Sequence, residues 1–183
     1  MPSNTGMLSN QEFLDFFFEA SLNGWVGNAP EVILSEMPGF KVINYPKYGW
    51  AKMKGWFYRN AYSVNRETKM SAGFTNIWKD GEHQFIAGYG GHYPKEAIDF
   101  LKEALRDAYH RKTFVGGRAR AYENRDYRYK MDPLTHPYPQ LILPEEFFLQ
   151  GTAVTQFSGT EVIVDIKLKK IVGWHNCWCA SIF

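Results

Sequence analysis

The chain has 183 residues, and 21 Lys+Arg against 19 Asp+Glu leave a formal charge of only +2. That balance excludes a disordered or collagenous chain, gives no whole-molecule attraction to nucleic acid or to a membrane surface, and suits one domain with its own core. Two cysteines cannot build a disulfide framework, and the unusual quantity is the 17% aromatic content, from 6 Trp, 11 Tyr and 14 Phe.

The first residues, Met1-Pro2-Ser3-Asn4-Thr5-Gly6, lack the basic-then-apolar pattern of a signal peptide, and no apolar run is long enough to cross a bilayer. The expectation is a cytoplasmic protein with no membrane partner. Ser9 and Glu12 form an S-x-x-E capping box ahead of a helix over about 10–22. Leu14, Phe17 and Phe18 share one face of it, Phe13 and Phe16 widen that face, and Asn23-Gly24 is the stop. Residues 38–63 read as strands and turns. Over 56–63 the side chains alternate: Trp56, Tyr58, Asn60 and Tyr62 point one way, Phe57, Arg59, Ala61 and Ser63 the other. Residues 64–73 read as a polar loop. A hairpin follows, with strands over 74–79 and 82–89 around Asp80-Gly81, a type I′ turn signature. Gly90-Gly91 leads to Pro94, which opens a helix reaching about Lys112, with Ala97, Leu101, Ala104, Leu105 and Ala108 at helical spacing. A basic, tyrosine-rich stretch occupies 118–130, and prolines at 133, 137, 139 and 144 mark an irregular segment. Strands over roughly 149–156, 160–166 and 171–182 close the chain.

The two halves resemble each other. Residues 12–20 align with 96–104 at an offset of 84, Trp25-Val26-Gly27 with Phe114-Val115-Gly116 at 89, and the hairpins at 86, where Gly73 meets Gly159, Ile77 meets Ile163 and Phe85-Ile86 meet Ile171-Val172. Three blocks in the same order point to an internal repeat, 10–91 and 95–179, within a single domain spanning 1–183. The fold class is α+β, two helix-plus-antiparallel-meander units around one aromatic core.

The F-L-x-F-x-x-E-A look of the first helix, the aromatic-x-Gly turn, Tyr58-Arg59-Asn60-Ala61-Tyr62 and the hairpin ending Tyr89-Gly90-Gly91 are together similar to an uncharacterised bacterial domain family. Its members carry Y-R-D-x-Y and Y-x-G-G strands and are sometimes fused behind an Xre-type helix-turn-helix. The chain departs at Asn60, where the family has Asp, and at Cys177-Trp178-Cys179, where a second Gly-Gly is expected. The resemblance implies a stand-alone version of a domain that can sit beside a DNA-binding module. It brings no activity with it.

Candidate chemistry is sparse. Gly88-Tyr89-Gly90-Gly91-His92 fits neither nucleotide-loop pattern and reads as a tight strand-to-helix turn. His175, Cys177 and Cys179 share a strand face, but a C-x-C pair without a second cluster reads as buried, reduced thiols rather than a metal site. Residues 106–130 hold eight Lys or Arg against three Asp or Glu. Alternation with Ala119 and Ala121 places Arg118 and Arg120 on one solvated face, and the acidic interruptions disfavour a nucleic-acid partner. No catalytic motif is present, no catalytic residue is assigned, and no cofactor or metal is expected. The aromatics exceed what a core needs, because each Tyr or Trp tip requires a polar partner. The expectation is a concave, aromatic-lined surface made by Tyr58, Tyr62, Trp78 and Tyr89 beside Arg59 and His92, binding or sensing a small molecule. The alternatives are a hydrolase assembled from distant residues and a nucleic-acid accessory using 106–130.

Overall fold

The computed structural model describes residues 10–46, 55–133 and 156–181. The chain runs α1 (Asn10–Asn23), β1 (Val32–Ile33), β2 (Phe40–Tyr45), β3 (Trp56–Val64), β4 (Met70–Lys79), β5 (Glu82–His92), α2 (Lys95–His110), β6 (Ala121–Glu123), β7 (Tyr127–Pro133), β8 (Gln156–Asp165) and β9 (Lys170–Ser181). All nine strands join one antiparallel sheet in the order β1-β2-β3-β4-β5-β9-β8-β7-β6. Each helix is therefore followed by a meander, and the two meanders meet edge to edge through their last strands.

Both helices lie on the same face of the sheet. Phe13 reaches Trp56 and Phe85, with ring centroids 6.3 and 5.4 Å apart, so α1 covers the first meander. Phe100 reaches Tyr122 and Tyr127 at 5.7 and 5.4 Å, so α2 covers the second. The core beneath them contains Ile77, Phe85, Tyr129, Ile163, Cys177 and Cys179, all from one side of the strands, as a period of two requires. Each ring removed from water contributes roughly 1.5–3 kcal/mol before ordering costs, and α1 alone buries Phe13, Phe16, Phe17 and Phe18. That explains why a helix of β-branched-free, Phe-rich sequence docks so completely.

Several boundaries differ from the sequence reading. Residues 70–73, read as loop, belong to β4. Their polarity is outweighed by having a ladder neighbour on both sides, β3 and β5. Gly88–His92 is likewise not a loop: Gly90 and Gly91 are paired inside β5, opposite Asn176 and His175. The Asp80-Gly81 turn is as expected, with φ of 51° and 90°. The hairpin alignment needs one change. Ile77 and Ile163 both sit at a register shift, Ile77 opposite Phe85 and Ile163 opposite Gly173. The second turn is longer than the first, so the residue opposite Ile163 is Gly173, where an offset of 86 from Phe85 would put Ile171. Ser9, the prolines at 137, 139 and 144, and nearly all of the strand read over 149–156 lie outside the described residues.

Candidate functional site

Between the helices and the sheet lies a cavity of about 370 Å³. Its walls are Phe17 and Val26 from α1 and the turn after it, Ile98, Leu101 and Leu105 from α2, and Tyr58, Ala87 and Tyr89 from the sheet. That is the size and the mixed aromatic lining of a small-molecule site. At one end it meets solvent. There Glu31 and Lys41 pair at 2.7 Å, Tyr62 donates its hydroxyl to Glu31, and Lys102 lies 4.8 Å over the Trp25 ring.

The structure brings together three of the six residues expected at the site. Tyr58, Tyr62 and Tyr89 line the cavity. Arg59, Trp78 and His92 do not. Trp78 pairs with Phe57 and Arg59 with Asn76, one step out of phase with Tyr58, so both lie on the far face of the sheet. There Arg59 packs over Phe57, Trp78 lies 5.6 Å from Phe57 and stacks on His83, and Arg59 Nε donates to Asn44. His92 is one residue beyond Gly91 and shares that far-face parity, between Met70 and Trp174. Along a hairpin it is alternation, not proximity, that decides which side a residue serves.

The deep end is built by residues the sequence reading did not assign to it. Arg118 Nε donates to Glu161 Oε2 at 2.8 Å, and its Nη2 donates to Oε1 of the same carboxylate. Tyr129 also donates to Oε2, at 2.6 Å. Glu161 is fully buried, and Arg118 lines the cavity with its side chain 15% exposed. The expected solvated position of Arg118 is therefore wrong. Gly116 and Gly117 take φ of 57° and 79°, conformations that favour glycine, and turn the chain so that Arg118 enters the interior before β6 begins. Arg120 stays exposed. The rest of the basic stretch is largely neutralised at the surface: Arg111 pairs with Asp107, Lys112 with Asp15, Arg125 with Asp126, Arg128 with Glu123 and Lys130 with Asp132.

Next to this ion pair, one transverse row of the sheet carries Ser71, Gly91, His175 and Glu161 on β4, β5, β9 and β8. Ser71 Oγ lies 2.9 Å from His175 Nε2, and His175 Nδ1 lies 3.3 Å from Glu161 Oε1. Gly91 has no side chain, and the His175 ring occupies that space. The space over Gly91 is thus filled from within. The His175 ring stacks on Tyr89 and meets the Tyr93 ring edge-on at 4.3 Å. Tyr93 Oη and His175 Nδ1 are buried without a hydrogen bond of good geometry, and the carboxylate they interact with is that of Glu161. A buried polar atom left unpaired costs about 1–3 kcal/mol.

The order Ser–His–Glu is that of a nucleophile, a base and an orienting acid. Three features weaken it as a catalytic relay. Arg118 and Tyr129 already hold both Glu161 oxygens. His175 Nδ1 is not aimed at the carboxylate. Burial, with Arg118 and His92 adding to it and Glu161 opposing, lowers the tendency of His175 to take a proton.

Burial would raise the Glu161 carboxyl, but the Arg118 guanidinium outweighs it and, with His175, holds the group far below the usual carboxylate range. Both shifts have the same sign for stability. Unfolded histidine takes a proton near pH ~6.5 and unfolded glutamate near ~4.3, while the folded forms take theirs at lower pH. The unfolded chain then binds more protons, so stability falls as pH falls. Denaturant melts should show loss beginning below about pH 6.5 from His175 and steepening below about 4.3 from Glu161. Constant stability from neutral pH down to pH ~4 would contradict this assignment.

Cys177 and Cys179 are free and buried on the cavity side of β9, where burial pushes the Cys179 thiol up to about 12. Among the described residues no group of three or more His, Cys, Asp or Glu could hold a metal ion, and no helix is long and apolar enough to cross a membrane. No family model, no curated protein and no solved structure matches the chain.

Proposed function

We propose that the chain is a small-molecule binding or sensing domain whose ligand occupies the cavity between the helices and the sheet. The observation that carries this is the cavity itself, about 370 Å³ with aromatic and aliphatic walls and the Glu31–Lys41 pair at its open end. The reading is tested with a fragment library in a thermal-shift screen. A fragment at 100 times its Kd stabilises the fold by about 2.7 kcal/mol. The Ala87→Phe variant, which fills the chamber from the sheet side, should retain its circular dichroism and lose that shift. A shift of undiminished size in the filled variant, or none from any fragment, would remove the proposal.

A second reading, a hydrolase, is favoured by the Ser71–His175 distance of 2.9 Å. A fluorophosphonate probe separates the two. On the binding reading Ser71 stays unmodified in the folded protein. A stoichiometric adduct mapped to Ser71 and lost in His175→Gln would make the enzyme reading the better one.

We also read the two halves as a duplicated unit, related to the bacterial family that the Tyr58–Tyr62 and Tyr89–Gly91 motifs resemble. In support, both hairpins carry their register shift directly after Ile77 and Ile163. Tyr89 and Cys177 face each other across the seam, where a two-fold axis relating the halves would pass. If β4–β5 laid on β8–β9 left α1 and α2 far apart, the duplication would be withdrawn.

A further inference from the structure

The open end of the cavity carries a charge that the interior does not. Lys41 on β2, Lys69 in the turn between β3 and β4, and Lys102 on α2 line it, and Glu31 is the one carboxylate among the described lining residues. Three lysines against one glutamate leave a surplus of two positive charges. Arg118, deeper in, adds nothing to that surplus, because Glu161 takes its charge.

Glu31 is already engaged. Its Oε2 pairs with Lys41 at 2.7 Å, and its Oε1 accepts the Tyr62 hydroxyl. Burial would raise this carboxyl, but the bonds from Lys41 and Tyr62 and the charges of Lys41 and Lys102 hold it below its usual value. Both lysines therefore act on one point of the mouth. Neither is exhausted there. An ammonium has three N–H donors; Lys41 places one on Glu31, and Lys102 places one on Asn28 Oδ1 with its Nζ 4.8 Å from the Trp25 ring. The Lys41 side chain is 49% exposed and Lys69 is exposed, so these donors meet water rather than the core. A cationic ligand would be repelled at such a mouth, and a neutral one would gain nothing from its charge. The inner walls, Phe17, Val26, Leu101 and Leu105, suit an apolar body and offer no partner to a second charge, so a charged group must stay at the wet end.

We infer that the cavity takes an amphipathic monocarboxylate, its apolar body inside and its carboxylate at the mouth beside Lys41 and Lys102. This rests on the binding reading above and adds the ligand class to it.

The test uses three probes of one chain length, octanoate, 1-octanol and octylammonium, titrated calorimetrically at neutral pH into the full chain. The parent should bind octanoate about tenfold more tightly than the alcohol, a difference of about 1.4 kcal/mol, and should bind octylammonium most weakly. Lys102→Met keeps an apolar stem over Trp25 and should cut the preference for octanoate over octanol about threefold, the scale of one exposed ion pair. In Lys41→Met/Lys102→Met only Lys69 and Glu31 remain, and the preference should vanish. Ala87→Phe should lose octanoate binding. Equal affinity for acid and alcohol in the parent, tightest binding of the ammonium, a preference untouched in the double variant, octanoate binding undiminished in Ala87→Phe, or no measurable binding of octanoate overturns the inference. Tight binding of octanol or octylammonium leaves the cavity reading standing, since that reading falls only with the fragment screen and the filled Ala87→Phe variant.

Discussion

Arg118→Met is expected to destabilise the fold by about 3–5 kcal/mol, the cost of leaving a buried carboxylate without its cation. A domain of this size has roughly 5–15 kcal/mol in total, so the variant would melt on the order of 10 °C or more below the parent. The cost lies in Glu161 rather than in the lost packing of Arg118. Glu161 is fully buried and receives Nε, Nη2 and the Tyr129 hydroxyl. Removing the guanidinium leaves one hydroxyl and a histidine that is held neutral. The double variant Arg118→Met/Glu161→Met should therefore recover most of the loss, because two apolar side chains replace a matched pair. The pH dependence gives an independent readout. With Arg118 gone, burial raises the folded Glu161 pKa above its unfolded value, so the folded protein binds the extra proton and stability rises on acidification, opposite to the parent. Differential scanning calorimetry of the three proteins across pH tests all of this. A single variant within about 1 kcal/mol of the parent, or a double variant no better than the single, would show that Glu161 is not the buried charge that the Arg118 geometry makes it.

The pattern of side chains fixes which elements exist and, for β3, which residues share a face. Phe13, Phe16, Phe17 and Phe18 mark α1 because only a helix can bury them together, and Asp80-Gly81 marks the tight turn between β4 and β5. Tyr58, Tyr62 and Tyr89 are legible as cavity residues for the same reason. The deep end is not legible, because it is a product of strand order. Ser71, His175 and Glu161 are neighbours only through the pairing of β5 with β9 and of β9 with β8, and nothing local to any of them announces it. Arg118 is misplaced by reading Arg118-Ala119-Arg120-Ala121 as a regular strand, whereas the Gly116-Gly117 turn before it sets its direction. One signal was available. Gly159, Glu161 and Ile163 alternate on the face that also carries Ile163 into the core, and a carboxylate in phase with a core isoleucine needs a buried cation. The same holds for His175: in phase with two core thiols, it belongs to an interior polar cluster.

Gly91→Ala should have the second-largest effect, about 3 kcal/mol, at the upper end of what overpacking a tight interior costs. A Cβ added at Gly91 would lie 2.1 Å from the Trp174 carbonyl oxygen and 2.7 Å from His175 Cδ2. The first is backbone of β9 and cannot yield without opening the seam that joins the two meanders. The second belongs to a ring held between Tyr89 and Tyr93, with Nε2 on Ser71. Neither neighbour is the free end of a flexible side chain. The adjacent Gly90 is the control. It faces the other side of the sheet, and its added Cβ would come no closer than 3.6 Å to any atom, so Gly90→Ala should stay within about 1 kcal/mol, the scale of a solvent-side glycine replacement. The two variants differ by one position along β5 and test whether the His175 ring fills the space over Gly91. In Gly91→Ala the His175 ring must leave its place over Ser71, so its imidazole resonances should shift toward the pH behaviour of a solvated histidine, and ligand shifts that depend on the deep end should vanish with it. If Gly91→Ala is as stable as Gly90→Ala and the His175 resonances do not move, the row Ser71–Gly91–His175–Glu161 is not packed as described.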